Sequence, residues 1–169
     1  NISRIDAFKT EDGKKVPCDG QLWYRGYNVI DLIHGFEGKR FGFEEVAYLL
    51  LFGELPDAAK LGAFKSMLEE CRQLPTNFTR DVIMKAPSKD IMNSLTRSVL
   101  TLASYDETIA DQELHTQLEQ CIKLISVFPM LAVYGYHAYN HYICDDSLYI
   151  HRPQEGLSAA ENLLLMLRP

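Results

Sequence analysis

Apolar and polar residues alternate only near the front of this chain, and from Arg25 onward the spacing becomes helical. Ile2–Phe8 and Lys14–Cys18 flank Thr10-Glu11-Asp12-Gly13, and Asp-Gly favours the positive φ of a tight hairpin turn. Asp19-Gly20 repeats that signal ahead of Gln21–Tyr24, which predicts a small two- or three-stranded meander that must pack on helices to persist. Short helices follow over Asn28–His34, ending at Gly35, and over Phe43–Leu51, stopped by Gly53 and Pro56. Asp57 then caps a longer helix whose stripe of Leu61, Phe64, Leu68, Cys71 and Leu74 has 3.6-residue spacing, with Pro75 ending it. Thr79–Lys85 reads as one brief helical turn.

Ser88 is the expected N-cap of Lys89–Ala103, whose apolar face holds Ile91, Leu95, Val99 and Leu102. The acidic loop Ser104–Ala110 leads into a long helix over about Asp111–Tyr142. Pro129 inside it removes a backbone donor and predicts a kink near Ile125–Phe128. Ser158 and Glu161 form a capping box that starts a helix over Glu161–Leu167. The expected class is all-α with a small N-terminal β-meander, residues 1–25 forming the meander and 26–169 the helical part. Leu163–Leu167 is apolar on every face and has to be covered all round. That predicts a portion of a larger chain.

Composition narrows the function classes. The chain has 169 residues, 47% hydrophobic and 24% charged, ordinary values for a globular protein of one domain or a large piece of one. Its formal charge of −6, with no basic run, disfavours a nucleic-acid partner. The apolar run Ile122–Tyr142 is interrupted by Lys123, Pro129, His137, Asn140 and His141, and reads as a buried helix rather than a membrane span. Cys18, Cys71, Cys121 and Cys144 lie far apart with no CxxC pair. Cys71 and Cys121 fall on apolar stripes, so buried free thiols in a reducing cytoplasm are expected.

Candidate chemistry is sparse. His137 and His141 stand at i and i+4, with Cys144, Asp145 and Asp146 just beyond, a spacing able to bind zinc. The Glu of an HExxH motif is missing, and Tyr139 and Tyr142 suggest a helix end packing outward, so no metal ligand is assigned. Arg25 in YRGY could touch a substrate, but bracing a turn whose unusual φ/ψ Gly26 supplies is the stronger reading. Glu44-Glu45 could be paired acid–base carboxylates, and is better explained as first-turn charge on a helix dipole. Trp23 and the nine tyrosines are too scattered for a ligand box and favour core packing and an interface. His34, His115 and His151 receive no role.

Several stretches together resemble the citrate synthase family: YRGYNVIDL (Tyr24–Leu32), FEEVAYLLLFGELP (Phe43–Pro56), IMNSLTRSVLTLASYD (Ile91–Asp106), LISVFP (Leu124–Pro129) and LSAAENLLLMLRP (Leu157–Pro169). APSKD (Ala86–Asp90) and YIHRP (Tyr149–Pro153) look most like the bacterial branch. The resemblance implies the helical large-domain portion of the citrate synthase fold, specifically its N-terminal part, in a cytoplasmic homodimer. The family condenses acetyl-CoA with oxaloacetate to citrate and CoA. An Asp takes a methyl proton, one His stabilises the enol, another polarises the ketone, and arginines clamp the carboxylates.

None of those groups matches a position here. The GPxHGG-type loop is absent, and the one His-Gly pair, His34-Gly35, continues into Phe36. Catalytic, cofactor-binding and metal-ligating residues are therefore all assigned as none, and this portion alone is expected to be inactive. Acetyl-CoA and oxaloacetate would be substrates of the complete enzyme, with no separate cofactor. Helices near Ile91–Ser104 and Leu114–Asn140 resemble those that pack across the family's two-fold axis. A 2-methylcitrate synthase, or a non-catalytic helical dimerisation or regulatory module on the same scaffold, is the alternative.

Overall fold

A computed structural model describes residues 1–168. It divides into two compact units, Asn1–Phe64 and Lys65–Pro169. The fold is mostly helical with a small three-stranded antiparallel sheet at the N-terminus.

In the first unit, β1 (Ser3–Glu11) and β2 (Lys14–Tyr24) form the predicted hairpin about Asp12-Gly13, whose φ values of 48° and 75° are the left-handed pair a tight turn needs. The second expected turn lies elsewhere. Asp6 pairs with Gln21 and Phe8 with Pro17, so Cys18, Asp19 and Gly20 together oppose Ala7 as a bulge inside one continuous β2. The chain reverses instead at Arg25-Gly26, φ 49° and 91°, into β3 (Tyr27–Asn28). An Asp-Gly pair serves bulges as well as hairpins, and the partner strand decides between them. The sheet thus extends past residue 25 to Asn28.

Asn28 then caps α1 (Val29–Gly35), its side chain accepting from the Ile30 amide at 2.9 Å. The next helix, α2 (Gly42–Phe52), ends on Gly53 at φ 87°. Tyr48, Phe52 and Phe64 form an aromatic trio with centroids 4.4 to 6.0 Å apart, and Leu49 and Phe64 are fully buried.

The helix α3 (Ala58–Glu70) starts as predicted, with Asp57 Oδ1 accepting from the Lys60 amide at 2.8 Å, but it stops short of Pro75. In the second unit Thr79–Met84 forms a π-helical turn, and α4 spans Ile91–Ala103. The N-cap of α4 is Asp90 rather than Ser88: Asp90 Oδ1 accepts from the Asn93 amide at 3.1 Å, while Ser88 Oγ accepts from Asp90 N. Asp90 immediately precedes the helix, at the distance a cap requires.

The spine is α5 (Leu114–Cys144), 31 residues of uninterrupted helix with Pro129 inside it. By length and apolarity it would qualify as a membrane span, but 56% of its most apolar window is buried, as in a core helix. α4, the π-helical turn and α6 (Ala159–Leu167) pack on it, and the core joins Phe78, Leu95, Val127, Leu131, Tyr134 and Met166. Both bonds of the Ser158–Glu161 capping box are formed. The apolar stripes do not bury both helix cysteines. All four described thiols are free, but Cys121 is exposed and Cys71 half-buried, because Ile122 and Ser126 take the core side of α5 and α3 ends before Cys71.

Candidate functional site

The groups singled out in the sequence do not converge. Arg25, within the first unit, turns back onto its own fold: Nε and Nη2 both donate to the Leu50 carbonyl, at 3.2 and 2.8 Å. Leu50 lies in the last turn of α2, where carbonyls lack helical partners, so the guanidinium closes a helix end. Glu44 and Glu45 occupy the first turn of α2, and both are buried. Lys39 Nζ lies 3.2 Å from Glu45 Oε2 and compensates that charge. Trp23 lies under the Arg4 guanidinium at 5.2 Å, and its Nε1 is buried with no hydrogen-bond acceptor among the described residues.

In the second unit the two i, i+4 imidazoles each serve the backbone. His137, 4% exposed, donates from Nε2 to the Met166 carbonyl at 2.9 Å. The half-buried His141 donates from Nδ1 to the Asp146 carbonyl, also at 2.9 Å, beyond the helix end. No group of three or more His, Cys, Asp and Glu side chains among the described residues is arranged to hold a metal ion. Tyr139 Oη meets Cys144, and that hydrogen bond raises the phenol above its ordinary value. His34 faces Glu37 and His115 faces Glu119, both on the exposed surface, while His151 Nε2 is buried with no partner among the described residues.

What the second unit does build is a fixed strap. Residues 145–157 have no regular structure, yet they are tied down at several points. Tyr134 Oη donates to the His151 carbonyl at 2.8 Å, from a position where burial raises the phenol above its usual value. Asn162 Oδ1 accepts from Gln154 N at 2.7 Å, and its Nδ2 donates to the carbonyls of Gln154 and Leu157 at 3.0 and 3.2 Å. Glu69 Oε1 accepts from Gly156 N at 2.9 Å. Asn162 is 2% exposed, and its amide meets nearly its full bonding capacity. Reading the sequence missed Asn162 and Tyr134. The available signal was a lone amide among the leucines of α6, a position where a polar group must find partners.

Among the described residues, the sheet and helices of the first unit and the helices packed on α5 in the second present no convergent acid–base pair, and the class they define is a mostly helical fold with a small antiparallel sheet. The profile described as "Citrate synthase, C-terminal domain" matches residues 1–169, and the chain belongs to the citrate synthase family.

It is 34% identical over 115 residues to the 2-methylcitrate synthase of Shewanella oneidensis, covering 68% of this chain and 28% of that protein. Against the citrate synthase of Corynebacterium glutamicum it is 30% identical over 149 residues, covering 88% of this chain and 32% of the relative. The solved citrate synthase of Pyrobaculum aerophilum superposes with a TM-score of 0.73 at 26% identity, over 98% of this chain and 38% of that one. The chain therefore spans about a third of the length of these relatives.

Proposed function

We propose that this chain is the N-terminal helical part of the large domain of a bacterial, cytoplasmic citrate synthase. In this reading residues 1–25 open the domain, residues 26–169 form its helical framework, and the reaction joins acetyl-CoA to oxaloacetate, releasing citrate and CoA. The proton-transferring groups lie outside residues 1–169, and these residues alone do not turn over. The observation that carries the reading is the family match along the whole of a chain that spans only about a third of its relatives and, among the described residues, brings no acid–base groups together.

A homodimer belongs to the same proposal. Met92 and Leu100 on α4 are 68% and 67% exposed, and Leu124, Phe128 and Tyr136 add a further apolar stripe along α5. Exposed apolar surface of that extent marks association. A second copy of the same helices is the occupant the family likeness supplies.

The relative from Shewanella oneidensis supports a second substrate reading, in which propionyl-CoA replaces acetyl-CoA. The assay that tests both follows CoA release from acetyl-CoA or propionyl-CoA with oxaloacetate, using the full product of the source gene and residues 1–169 side by side. The proposal expects turnover by the full product only, faster with acetyl-CoA. Faster release from propionyl-CoA transfers the assignment to 2-methylcitrate synthase. Turnover by residues 1–169 alone refutes the division of labour, and an inactive full product that still dimerises leaves the non-catalytic module standing.

A further inference from the structure

The strap of the second unit borders a cleft of about 800 Å³, walled also by the segment from Glu69 to Arg80 and by Tyr134 of α5. Three of the chain's eight arginines line it, Arg72, Arg80 and Arg152, against two carboxylates, Glu69 and Glu155. The positive charges are unevenly spent. Arg80 is held by Asp81 in a two-pronged pair, Nε to Oδ1 at 2.9 Å and Nη2 to Oδ2 at 2.8 Å. Glu69 already accepts the Gly156 amide. Arg72 and Arg152 form no ion pair with any described carboxylate.

Two guanidinium groups without an ion pair line the same cleft, one from the strap and one from the segment after α3, in a chain of net charge −6. A planar fork of N–H donors matches the oxygens of a carboxylate or phosphate two at a time, which a hydrated ammonium does not. The backbone that carries Arg152 is also fixed before any ligand arrives. His151 on one side is fixed by Tyr134 Oη, and Gln154 on the other by both ends of the Asn162 amide. The charge of Arg152 is felt at the Tyr134 phenol, where it opposes the upward push of burial. A fixed backbone leaves only the side chain to be ordered when a ligand is engaged.

We propose that this cleft is a binding subsite for a small multivalent oxyanion, bearing phosphate or carboxylate groups, gripped by Arg72 and Arg152. Arg80, already paired with Asp81, contributes little net charge, and Glu155 opposes binding. The subsite is independent of the acyl-transfer reading, because that reading places its proton-transferring groups outside residues 1–169 whereas Arg72 and Arg152 lie within them.

Isothermal titration of the 169-residue chain with inorganic pyrophosphate and, separately, with tricarballylate tests it. Saturable binding with Kd at or below about 1 mM is expected for at least one probe, and the tighter one identifies the oxyanion as phosphate or carboxylate. Arg72→Gln and Arg152→Gln should each weaken it about tenfold or more, a loss typical of one charge-assisted contact. Glu155→Gln should tighten it, and Lys14→Gln, at the hairpin turn, should change nothing. Circular dichroism checks each fold, and where Arg152→Gln does not fold, Arg152→Lys keeps the charge, loses the fork and should still weaken binding. No saturable binding of either probe, or binding indifferent to both arginine changes, overturns the proposal.

Discussion

His137 Nε2 donates to the Met166 carbonyl at 2.9 Å, and this buried bond ties the C-terminal part of α5 to the last turn of α6. Carbonyls in a final helical turn have no partner within their own helix, so the imidazole supplies one where water does not reach. A histidine that the sequence offers as a metal ligand is thereby spent on architecture.

Replacing His137 with Leu should strand that carbonyl in the core. The expected loss is about 1–3 kcal/mol, the usual cost of a buried polar group left unsatisfied. His141→Ala, one turn further along α5 and only half-buried, should cost less, about 0.5–1 kcal/mol. Urea denaturation of both variants checks the contrast. Equal losses would mean that burial of His137 carries no special weight.

Asn162→Ala removes three hydrogen bonds from the strap at once. Stability should fall by about 2–4 kcal/mol, since two carbonyls and one amide lose their partner together. The sharper readout is hydrogen exchange at the Gln154 amide, which should lose its protection while the α4 amides keep theirs. An unchanged Gln154 rate would show that the strap holds without its anchor.

Gly26 sits at φ 91° with nothing within 4 Å of where a Cβ would be, so the obstacle to substitution is conformational rather than spatial. Gly26→Ala should cost about 1 kcal/mol, from the left-handed backbone alone. Gly20, which also has open space and no positive φ, should accept Ala with a change of less than about 0.5 kcal/mol. Thermal melts of the two variants decide it.

Asp106 and Asp111 are acids held below the ordinary carboxylate range. The Thr108 hydroxyl and amide bond Asp106, and the Glu113 amide followed by the Thr116 hydroxyl bond Asp111. A depressed folded pKa stabilises above the unfolded value, and that contribution is lost as pH falls through the folded value. Asp106→Asn and Asp111→Asn should therefore lower the melting temperature near neutrality, with the deficit shrinking toward zero in strong acid. A deficit of the same size at both extremes would rule out the carboxylate bonds as its source.

Local chemistry made part of this fold readable from the residues. Asp12-Gly13 turns a hairpin, Gly53 ends α2 and Ser158 with Glu161 starts α6, because each acts on its immediate neighbours. Asp19-Gly20 misled because the fate of that pair depends on β1, whose Ala7 it opposes. Cys121 misled because an apolar stripe says which side of α5 is greasy, not how much of it the neighbours cover. The cleft was invisible for a related reason. Arg72 and Arg152 stand at opposite ends of the second unit's sequence, and only the packing of the strap against the segment after α3 brings them to the same cleft.

The wide turn at Thr79–Met84 imposes a constraint on chain length. A π-turn accommodates a residue that an α-turn would not, so deleting one position there would let the segment tighten. Each residue in an α-helix advances about 100° around the axis, so everything upstream of the deletion would be re-aimed by roughly that angle. Phe78 would swing off the core and Arg80 off the rim together, which makes this short segment intolerant of shortening even where every individual side chain can be exchanged.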